Sequence, residues 1–234
     1  MEDITKNRFV AVLDILGFKD MVLSTDHEIL YHRIQELLDV TKMNDDLIQR
    51  MKCKEHKPTY FNFSDSFFVF SSDDSAESFD VFINFTQALF MNAIGLSFMI
   101  KGAIGFGKVS INENKRIFFG KPIIDAFLLQ EDVKYLGIVF HHLAENQLRQ
   151  IGSPDNSYKL GTLLSYISSG KMEHYNLLWF MEKGNKPYSL LTEDLENLRR
   201  TCSGYPRKYI DNTVEMIREY CEVINKEKNI THLT

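Results

Sequence analysis

The sequence predicts an α+β protein in which a mostly antiparallel sheet has helices packed on one face. The chain has 234 residues, 44% hydrophobic and 25% charged, which is ordinary globular composition. Over residues 1–152 the predicted elements follow the order β, α, β, β, α, β, β, α, β. Strands that come in hairpin pairs favour this class over a doubly wound parallel sheet, in which strands and helices alternate strictly.

The first predicted strand ends at a polar turn. The apolar run from Phe9 to Leu13 is followed by Asp14 and then by Gly17, a pattern typical of a buried strand with a tight exit turn. From His27 towards Met51, apolar residues recur at steps of three and four residues. This spacing predicts an amphipathic helix after the strand.

An aromatic hairpin and a second helix follow. Residues 60–63 and 67–70 are rich in aromatic side chains and flank a Ser-Asp-Ser sequence centred on Asp65. Aromatic residues favour strands, and Ser and Asp favour turns, so we predict a β-hairpin with Asp65 at its tip. A helical pattern then runs from Ser75 to Ile94.

The next segment combines a strand rich in glycine with a third helix. The strand is predicted from Leu96 to Val109, and three glycines inside it indicate a bulge or a close approach of another backbone. A short hairpin returns as Ile117 to Phe119. A helix from about Ile123 to Glu131 and a strand from Ile138 to Phe140 complete the series.

The C-terminal part has a mixed pattern. It contains a candidate strand from Tyr175 to Met181, a turn at Gly184, and helical patterns from Leu191 to Arg200 and from Val214 to Ile224. No linker rich in Pro, Gly or Ser separates the two parts of the sequence. We therefore predict one domain, with a core of residues 1–152 and a helical C-terminal extension of residues 153–234.

Charge and cysteine content disfavour several classes of function. Lys and Arg total 27 against 32 Asp and Glu, so the net charge of -5 disfavours binding to nucleic acid or to an anionic membrane. Three cysteines without metal-ligand spacing, Cys53, Cys202 and Cys221, predict neither a disulfide framework nor a zinc site. The acidic N-terminus and the lack of a long apolar stretch predict a soluble, cytoplasmic chain.

Asp14 and Asp65 are the strongest candidates for a functional site. One ends a buried strand and the other lies at a hairpin tip, so both carboxylates can meet at one edge of an antiparallel sheet. Oxygen ligands without Cys or His favour Mg²⁺ or Mn²⁺, and a pair of such ions serves phosphoryl transfer in many enzymes. The alternative is that both residues only cap a helix or initiate a turn.

Four sequence segments favour the catalytic interpretation. The run from Phe9 to Phe18 resembles the metal-binding first strand of class III nucleotidyl cyclases, and Phe63 to Ser66 resembles the hairpin that carries their second metal aspartate. Together the segments LDILGF, FSDSFFVFS, KGAIGFGKV and FFGKPIIDAFLLQE resemble the bacterial pyrimidine cyclases of the antiphage Pycsar systems. The resemblance spans roughly Phe9 to Val139 and implies the ferredoxin-like fold of class III nucleotidyl cyclases.

The resemblance also implies roles for individual residues. Two divalent ions, Mg²⁺ or Mn²⁺, would be held by Asp14, Asp65 and the backbone carbonyl of Ile15. The phosphates of the substrate would meet backbone N–H groups of the next three residues, Leu16, Gly17 and Phe18. The reaction would convert UTP, with CTP as the alternative, to its 3′,5′-cyclic monophosphate and pyrophosphate, and the cyclic product would be a second messenger for a separate effector protein. Cyclases of this family build such sites across a homodimer interface.

The sequence departs from the purine cyclases of the family at the positions that read the base. Phe61 stands where they have Lys, and Ile117 stands where they have a polar residue. We therefore predict that Tyr60, Phe61 and Asn62 contact a smaller base. Because side chains alternate along a strand, Tyr60 faces the site only if the strand bulges. The alternative for both aromatic residues is core packing.

A second departure concerns the transition state. Many class III cyclases have an Asn and an Arg on the late helix, and the matching positions here are Ile124 and Leu128. Compensating positive charge is then expected from one of four basic residues: Lys101, Arg116, Lys121 or Lys134. Two other functions stay open. One is a catalytically silent cyclase-homology module that binds a nucleotide or a partner, and the other is an ATP or GTP cyclase.

Overall fold

The structure is a computed structural model that describes residues 4–50, 54–152, 159–182, 186–188 and 191–231. Cys53, the predicted turn at Gly184 and residues 153–158 at the start of the C-terminal extension lie outside the described residues. The helices are α1 Phe18–Ser24, α2 His27–Arg50, α3 Ala76–Gly95, α4 Lys121–Asp132, α5 His142–Ile151, α6 Leu191–Thr201 and α7 Tyr205–Thr231.

One large sheet organises the described part of the chain. Its strands are β1 Thr5–Ile15, β2 Thr59–Phe63, β3 Ser66–Phe70, β4 Ile100–Asn112, β5 Ile117–Phe119, β6 Ile138–Phe140, β7 Leu160–Ile167 and β8 Gly170–Leu177. Their order is β2-β3-β1-β4-β6-β8-β7, and β5 pairs with β4. Only β4 and β6 run parallel among these described pairs, which confirms the predicted mostly antiparallel sheet. Two further short strands, β9 Met181–Glu182 and β10 Lys186–Pro187, pair with each other.

Strand β1 lies at the centre of this sheet. It pairs with β3 on one side and with β4 along its whole length on the other. Residues Phe9 to Leu13 are fully buried, as expected for a central strand. On one face, the Phe9 ring packs 4.7 Å from the ring of Phe79 in α3, measured between centroids. The apolar run in the sequence thus marks the centre of the core.

The helices cover both faces of the sheet, not one face as predicted. Helix α3 packs on the face that carries Phe9, whereas α4 packs on the opposite face, over Gly105 of β4. The difference arises because Gly105 and Gly107 of β4 lie on the face opposite to α3, where the lack of side chains leaves a surface for a helix. The glycines of β4 provide that surface, since a Cβ at Gly105 would lie 2.5 Å from the carbonyl oxygen of Pro122 in α4.

The structure confirms most of the predicted elements and adds some that were not predicted. β5 and β6 have the predicted bounds, and Ser75 is the N-cap of α3, where its side chain accepts a hydrogen bond from the Ser78 amide. Helices α1 and α5 and strand β7 were not predicted. α1 has only seven residues, which is too short for a periodic apolar pattern to stand out.

The C-terminal extension contributes strands as well as helices. β8 pairs with β6, and β7 pairs with β8, so both continue the central sheet. β8 begins at Gly170, before the predicted start at Tyr175. The prediction started too late because the first residues of the strand are mostly polar and exposed, and so show no apolar pattern. Likewise α7 begins at Tyr205 and not at Val214. None of the helices among the described residues combines the length and apolar composition needed to cross a bilayer.

The close approach of α4 to β4 predicts a specific effect on stability. Gly105→Ala should destabilise the protein by about 2 kcal/mol, because the new methyl group would meet the Pro122 backbone and force the helix away from the sheet. Gly95→Ala is the matched control. A Cβ there meets nothing within 4 Å, so this change should be neutral or stabilise by about 0.5 kcal/mol. Urea unfolding of both variants measures the effect, and equal stabilities would contradict the proposed contact.

Candidate active site

The structure brings Asp14 and Asp65 together at one edge of the sheet. Asp14 is the next-to-last residue of β1 and Asp65 lies in the β2–β3 turn. The backbone amide of Ile15 donates a hydrogen bond of 3.0 Å to the carbonyl oxygen of Asp65. Asp14 is also the register partner of Ser66, whose hydroxyl hydrogen-bonds its carboxylate. These contacts hold the end of the strand against the hairpin tip.

The electrostatics of this pair favour a cation. Burial first, and then the negative charge of Asp65, raise the pKa of Asp14 to about 6. The exposed carboxylate of Glu131 in α4 adds to this effect, while Lys101 and Ser66 oppose it. Ionised Asp14 is therefore less stable in the folded protein than in water, and its ionisation lowers the free energy of unfolding. A divalent ion between the two aspartates would remove that destabilisation, so the residues present fit such an ion.

Two carboxylates form the donor set in this structure. In the part of the chain that the structure describes, no group of three or more His, Cys, Asp or Glu side chains gathers at one point. Mg²⁺ is often bound by one or two carboxylates and completes its coordination with water and substrate phosphates. The pair of Asp14 and Asp65 matches that kind of site better than a closed structural metal site.

The turn after β1 has fewer backbone N–H groups free to bind a phosphate than we predicted from the sequence. The amide of Leu16 already donates to the carbonyl of Met99 at 2.8 Å, so it is not available for a phosphate. Gly17 follows in the left-handed conformation, with φ of 74°, and caps α1, whose first residue is Phe18. Any phosphate contact of this turn therefore falls to the amides of Gly17 and Phe18.

Lys101 lies beside the aspartates but is already engaged. It is the register partner of Asp14 on β4 and only 5% exposed. Its Nζ donates to three backbone carbonyls at the C-terminal end of α4, those of Gln130 at 2.7 Å, Glu131 at 3.3 Å and Val133 at 3.4 Å. An ammonium has three donors, so none remains for a phosphate. The expectation that Lys101 neutralises the leaving pyrophosphate does not fit this geometry.

The predicted base contacts divide between the two faces of the sheet. Phe61 is on the same face as Asp14, where its ring packs 4.8 Å from Phe68 and 4.4 Å from Phe118, measured between centroids. Tyr60 and Asn62 are on the other face, and the Tyr60 ring packs 5.0 Å from Phe85 of α3. The structure thus places Tyr60 and Asn62 away from the aspartates, because the strand alternates without a bulge.

The other basic candidates lie at three different places. Lys134 follows α4 near Lys101, and its Nζ donates to the Glu131 carbonyl at 2.8 Å. Lys121 is at the opposite end of α4, where it pairs with Asp125 at 2.6 Å. Arg116 is in the β4–β5 turn, beyond Ser110, the register partner of Thr5. Thr5 and Asp14 are at opposite ends of the β1–β4 pair, so the turn with Arg116 follows the end of this pair that is remote from Asp14.

An exposed apolar surface covers the outer side of α4 and β5. Ile124 and Leu128, which stand at the expected transition-state positions, are 60% and 57% exposed. Phe127 of the same helix is exposed as well, and so are Ile117 and Phe119 of β5, which the strand register places on the sheet face opposite to α4. We call these five residues, taken together, the apolar surface of α4 and β5. Several exposed apolar side chains on one element usually mark an interaction site.

One aromatic residue near the site has no recognisable pattern in the sequence. Tyr209 of α7 is buried, and the Nζ of Lys101 lies 6.0 Å from the centroid of its ring. Burial and the neighbouring Tyr205, and then the charge of Asp14, raise the pKa of Tyr209 to about 12. The apolar helical pattern in the sequence begins only at Val214. It therefore does not predict that Tyr209 is helical or that it lies near the site.

Comparison with known proteins agrees with the predicted fold. No family model matches the sequence, and no curated protein matches it. Among solved structures, the adenylyl cyclase CyaB from P. aeruginosa superimposes with a TM-score of 0.52 at 14% identity, over 78% of this chain and 97% of CyaB. The chain has the class III nucleotidyl cyclase fold.

Two further solved structures with this cyclase fold are similar at lower scores. The catalytic core of a rhodopsin-guanylyl cyclase with converted specificity, in complex with ATPαS, has a TM-score of 0.48 at 16% identity. That match covers 74% of this chain and 95% of the other. An adenylate cyclase from Trypanosoma brucei in its monomeric state has a TM-score of 0.46 at 13% identity, over 80% of this chain and 94% of the other.

The raised pKa of Asp14 predicts how the metal-free protein responds to pH. The folded value of about 6 lies above the ordinary value of 3.8, so ionising Asp14 destabilises the fold. This penalty is absent below pH 3.8, grows between pH 3.8 and 6, and is complete above pH 6. Asp14→Asn should therefore stabilise the protein by about 1–2 kcal/mol at pH 7.5, and much less at pH 4.

Urea unfolding in EDTA at the two pH values measures this difference. Asp20→Asn, at an exposed position of α1, is the control for an amide replacing a carboxylate on the surface. A variant Asp14→Asn that is less stable than the wild type at pH 7.5 would contradict the electrostatic description of the site.

Proposed function

We propose that the protein is a nucleotidyl cyclase that converts a pyrimidine nucleoside triphosphate, UTP before CTP, to its 3′,5′-cyclic monophosphate and pyrophosphate. The observation that carries this proposal is the pair of Asp14 and Asp65, held side by side at one sheet edge of a cyclase fold. By resemblance to the Pycsar cyclases, the product is a second messenger in antiphage defence and activates a separate effector protein.

Divalent ions, Mg²⁺ or Mn²⁺ and two per site, are part of this proposal. The carboxylates of Asp14 and Asp65 and the carbonyl of Ile15 would hold them. When bound, these ions neutralise the triphosphate and make the ribose 3′-hydroxyl more acidic. The repulsion between the two carboxylates supports this assignment, because it leaves excess negative charge that only a bound cation or protons can neutralise.

The reaction needs positioning more than a protein nucleophile. The 3′-oxygen of the ribose attacks the α-phosphorus, the bond to the pyrophosphate oxygen breaks, and the hydroxyl proton passes to solvent. The Gly17 and Phe18 amides hold the β and γ phosphates, which fixes the leaving group opposite the attacking oxygen. No covalent enzyme intermediate forms. The chain contributes geometry and charge at the sheet edge.

The preference for a pyrimidine rests on the residues at the two positions that read the base in the related cyclases. Phe61 and Ile117 replace the polar side chains that read a purine in the related cyclases, and Phe61 lies on the face of Asp14. An aromatic ring can stack on a base but does not provide the hydrogen bonds that select adenine or guanine. CyaB is an adenylyl cyclase, so a purine substrate is the alternative that the assay has to exclude.

We further propose that the active form is a homodimer with its sites at the interface. The apolar surface of α4 and β5 supports this, because it carries exposed Ile124, Phe127 and Leu128 where a single chain has nothing to cover them among the described residues. Arg116 gives a second reason. Its turn follows the end of the β1–β4 pair that is remote from Asp14 of its own chain, so we assign Arg116 to the site of the partner copy.

A nucleotide assay tests the proposed activity. The purified protein is incubated with Mn²⁺ and each of UTP, CTP, ATP and GTP, and the products are identified by mass spectrometry. We expect cUMP or cCMP from the wild type, and a loss of at least about 100-fold in Asp14→Asn and Asp65→Asn. Asp20→Asn is the control and should retain activity. A cyclic purine product would contradict the pyrimidine assignment, and no product would favour the silent module.

Subunit complementation tests the shared site. Asp14→Asn and Arg116→Ala should each be inactive alone, whereas an equal mixture with exchanged subunits should recover about a quarter of wild-type activity. In the mixed dimer, one of the two sites has both Asp14 and Arg116 intact. A mixture of Asp14→Asn with Asp65→Asn is the control, since both aspartates belong to one chain and no intact site can form. Equal recovery in both mixtures would contradict a site shared in this way.

A further inference from the structure

Lys101 connects three parts of the molecule at the candidate site. From β4 it donates hydrogen bonds to the last carbonyls of α4, at Gln130, Glu131 and Val133. A cation at this end of a helix is favourable, because the unpaired carbonyls there carry partial negative charge. Lys101 also sits opposite Asp14 in the β1–β4 register. It therefore fixes the C-terminal end of α4 next to the strand that carries the aspartate.

The C-terminal extension reaches the same point. The buried ring of Tyr209 in α7 lies 6.0 Å from the Lys101 ammonium, within the range of a cation–π contact. Further along α7, the Asn212 side chain donates to the Lys134 carbonyl at 2.6 Å, and the Leu136 amide donates to the Thr213 hydroxyl at 2.8 Å. The first half of α7 is thus anchored on the segment that follows α4.

We propose that Tyr209 and Lys101 are positioning residues through which helix α7 holds the C-terminal end of α4 in place beside Asp14. The Tyr209 ring covers the ammonium and keeps water from competing for the three carbonyls. Lys101 in turn holds α4, whose outer side carries exposed Ile124, Phe127 and Leu128. The extension therefore controls the geometry of the site without touching the substrate. Its effect on turnover rests on the proposed function, whereas its effect on α4 does not.

Hydrogen exchange of the metal-free protein tests the positioning directly. In Tyr209→Leu and in Lys101→Met, amides in the last turn of α4 should exchange about tenfold faster than in the wild type. Tyr209→Phe keeps the ring and should leave this exchange unchanged. Tyr220→Leu is the matched control, because Tyr220 is on the same helix but packs against Phe180. Circular dichroism shows whether each variant is folded.

The kinetics of the same variants separate positioning from a general loss of stability. In Tyr209→Leu, kcat should fall about tenfold while the KM for the triphosphate stays within about twofold, and Tyr209→Phe should restore kcat. Tyr220→Leu should lower the melting temperature without changing kcat. Unchanged exchange in α4 of both Tyr209→Leu and Lys101→Met would overturn the proposal. A wild type without cyclase activity would overturn the proposed function instead, and the exchange result would still decide the role of Tyr209.

Discussion

The double pairing of β1 is the constraint on which the rest of the structure depends. Because β3 and β4 flank this strand, its register fixes the next-to-last residue, Asp14, between Ser66 on one side and Lys101 on the other. A slip of one residue would turn Asp14 towards α3 and expose an apolar side chain in its place. The buried core from Phe9 to Leu13 prevents that slip, so core packing and site geometry share one cause.

This arrangement leaves the site with unbalanced charge. The charge of Asp65 acts on the Asp14 carboxylate, and the buried cation beside them, Lys101, is committed to helix carbonyls. The folded protein thus holds a carboxylate that is more stable with a proton or a metal ion than alone, as is common at functional sites. The apolar surface of α4 and β5 adds a second requirement, since its exposed side chains are more stable against a partner than in water.

Local patterns placed the two aspartates at turns, and the resemblance to cyclases then predicted a metal site for them. Each follows a recognisable strand at a turn, and such positions can be identified from neighbouring residues alone. The role of Lys101, the position of Tyr209 and the covering of both sheet faces depend on contacts between residues far apart in sequence. Helix α7 shows why these were missed, since its first turns are polar and contain Pro206, so no apolar period indicated that Tyr209 is buried. Arg116 carries charge, but only the sheet register shows that its turn follows the end of the β1–β4 pair remote from Asp14.

A crystal structure with Mn²⁺ and a non-cyclisable UTP analogue tests the central claim most directly. Anomalous scattering identifies manganese without relying on the shape of the density. The account expects manganese between the carboxylates of Asp14 and Asp65, with the triphosphate beside the Gly17 amide. Manganese or nucleotide bound elsewhere on the chain, with the two carboxylates bare, would contradict it.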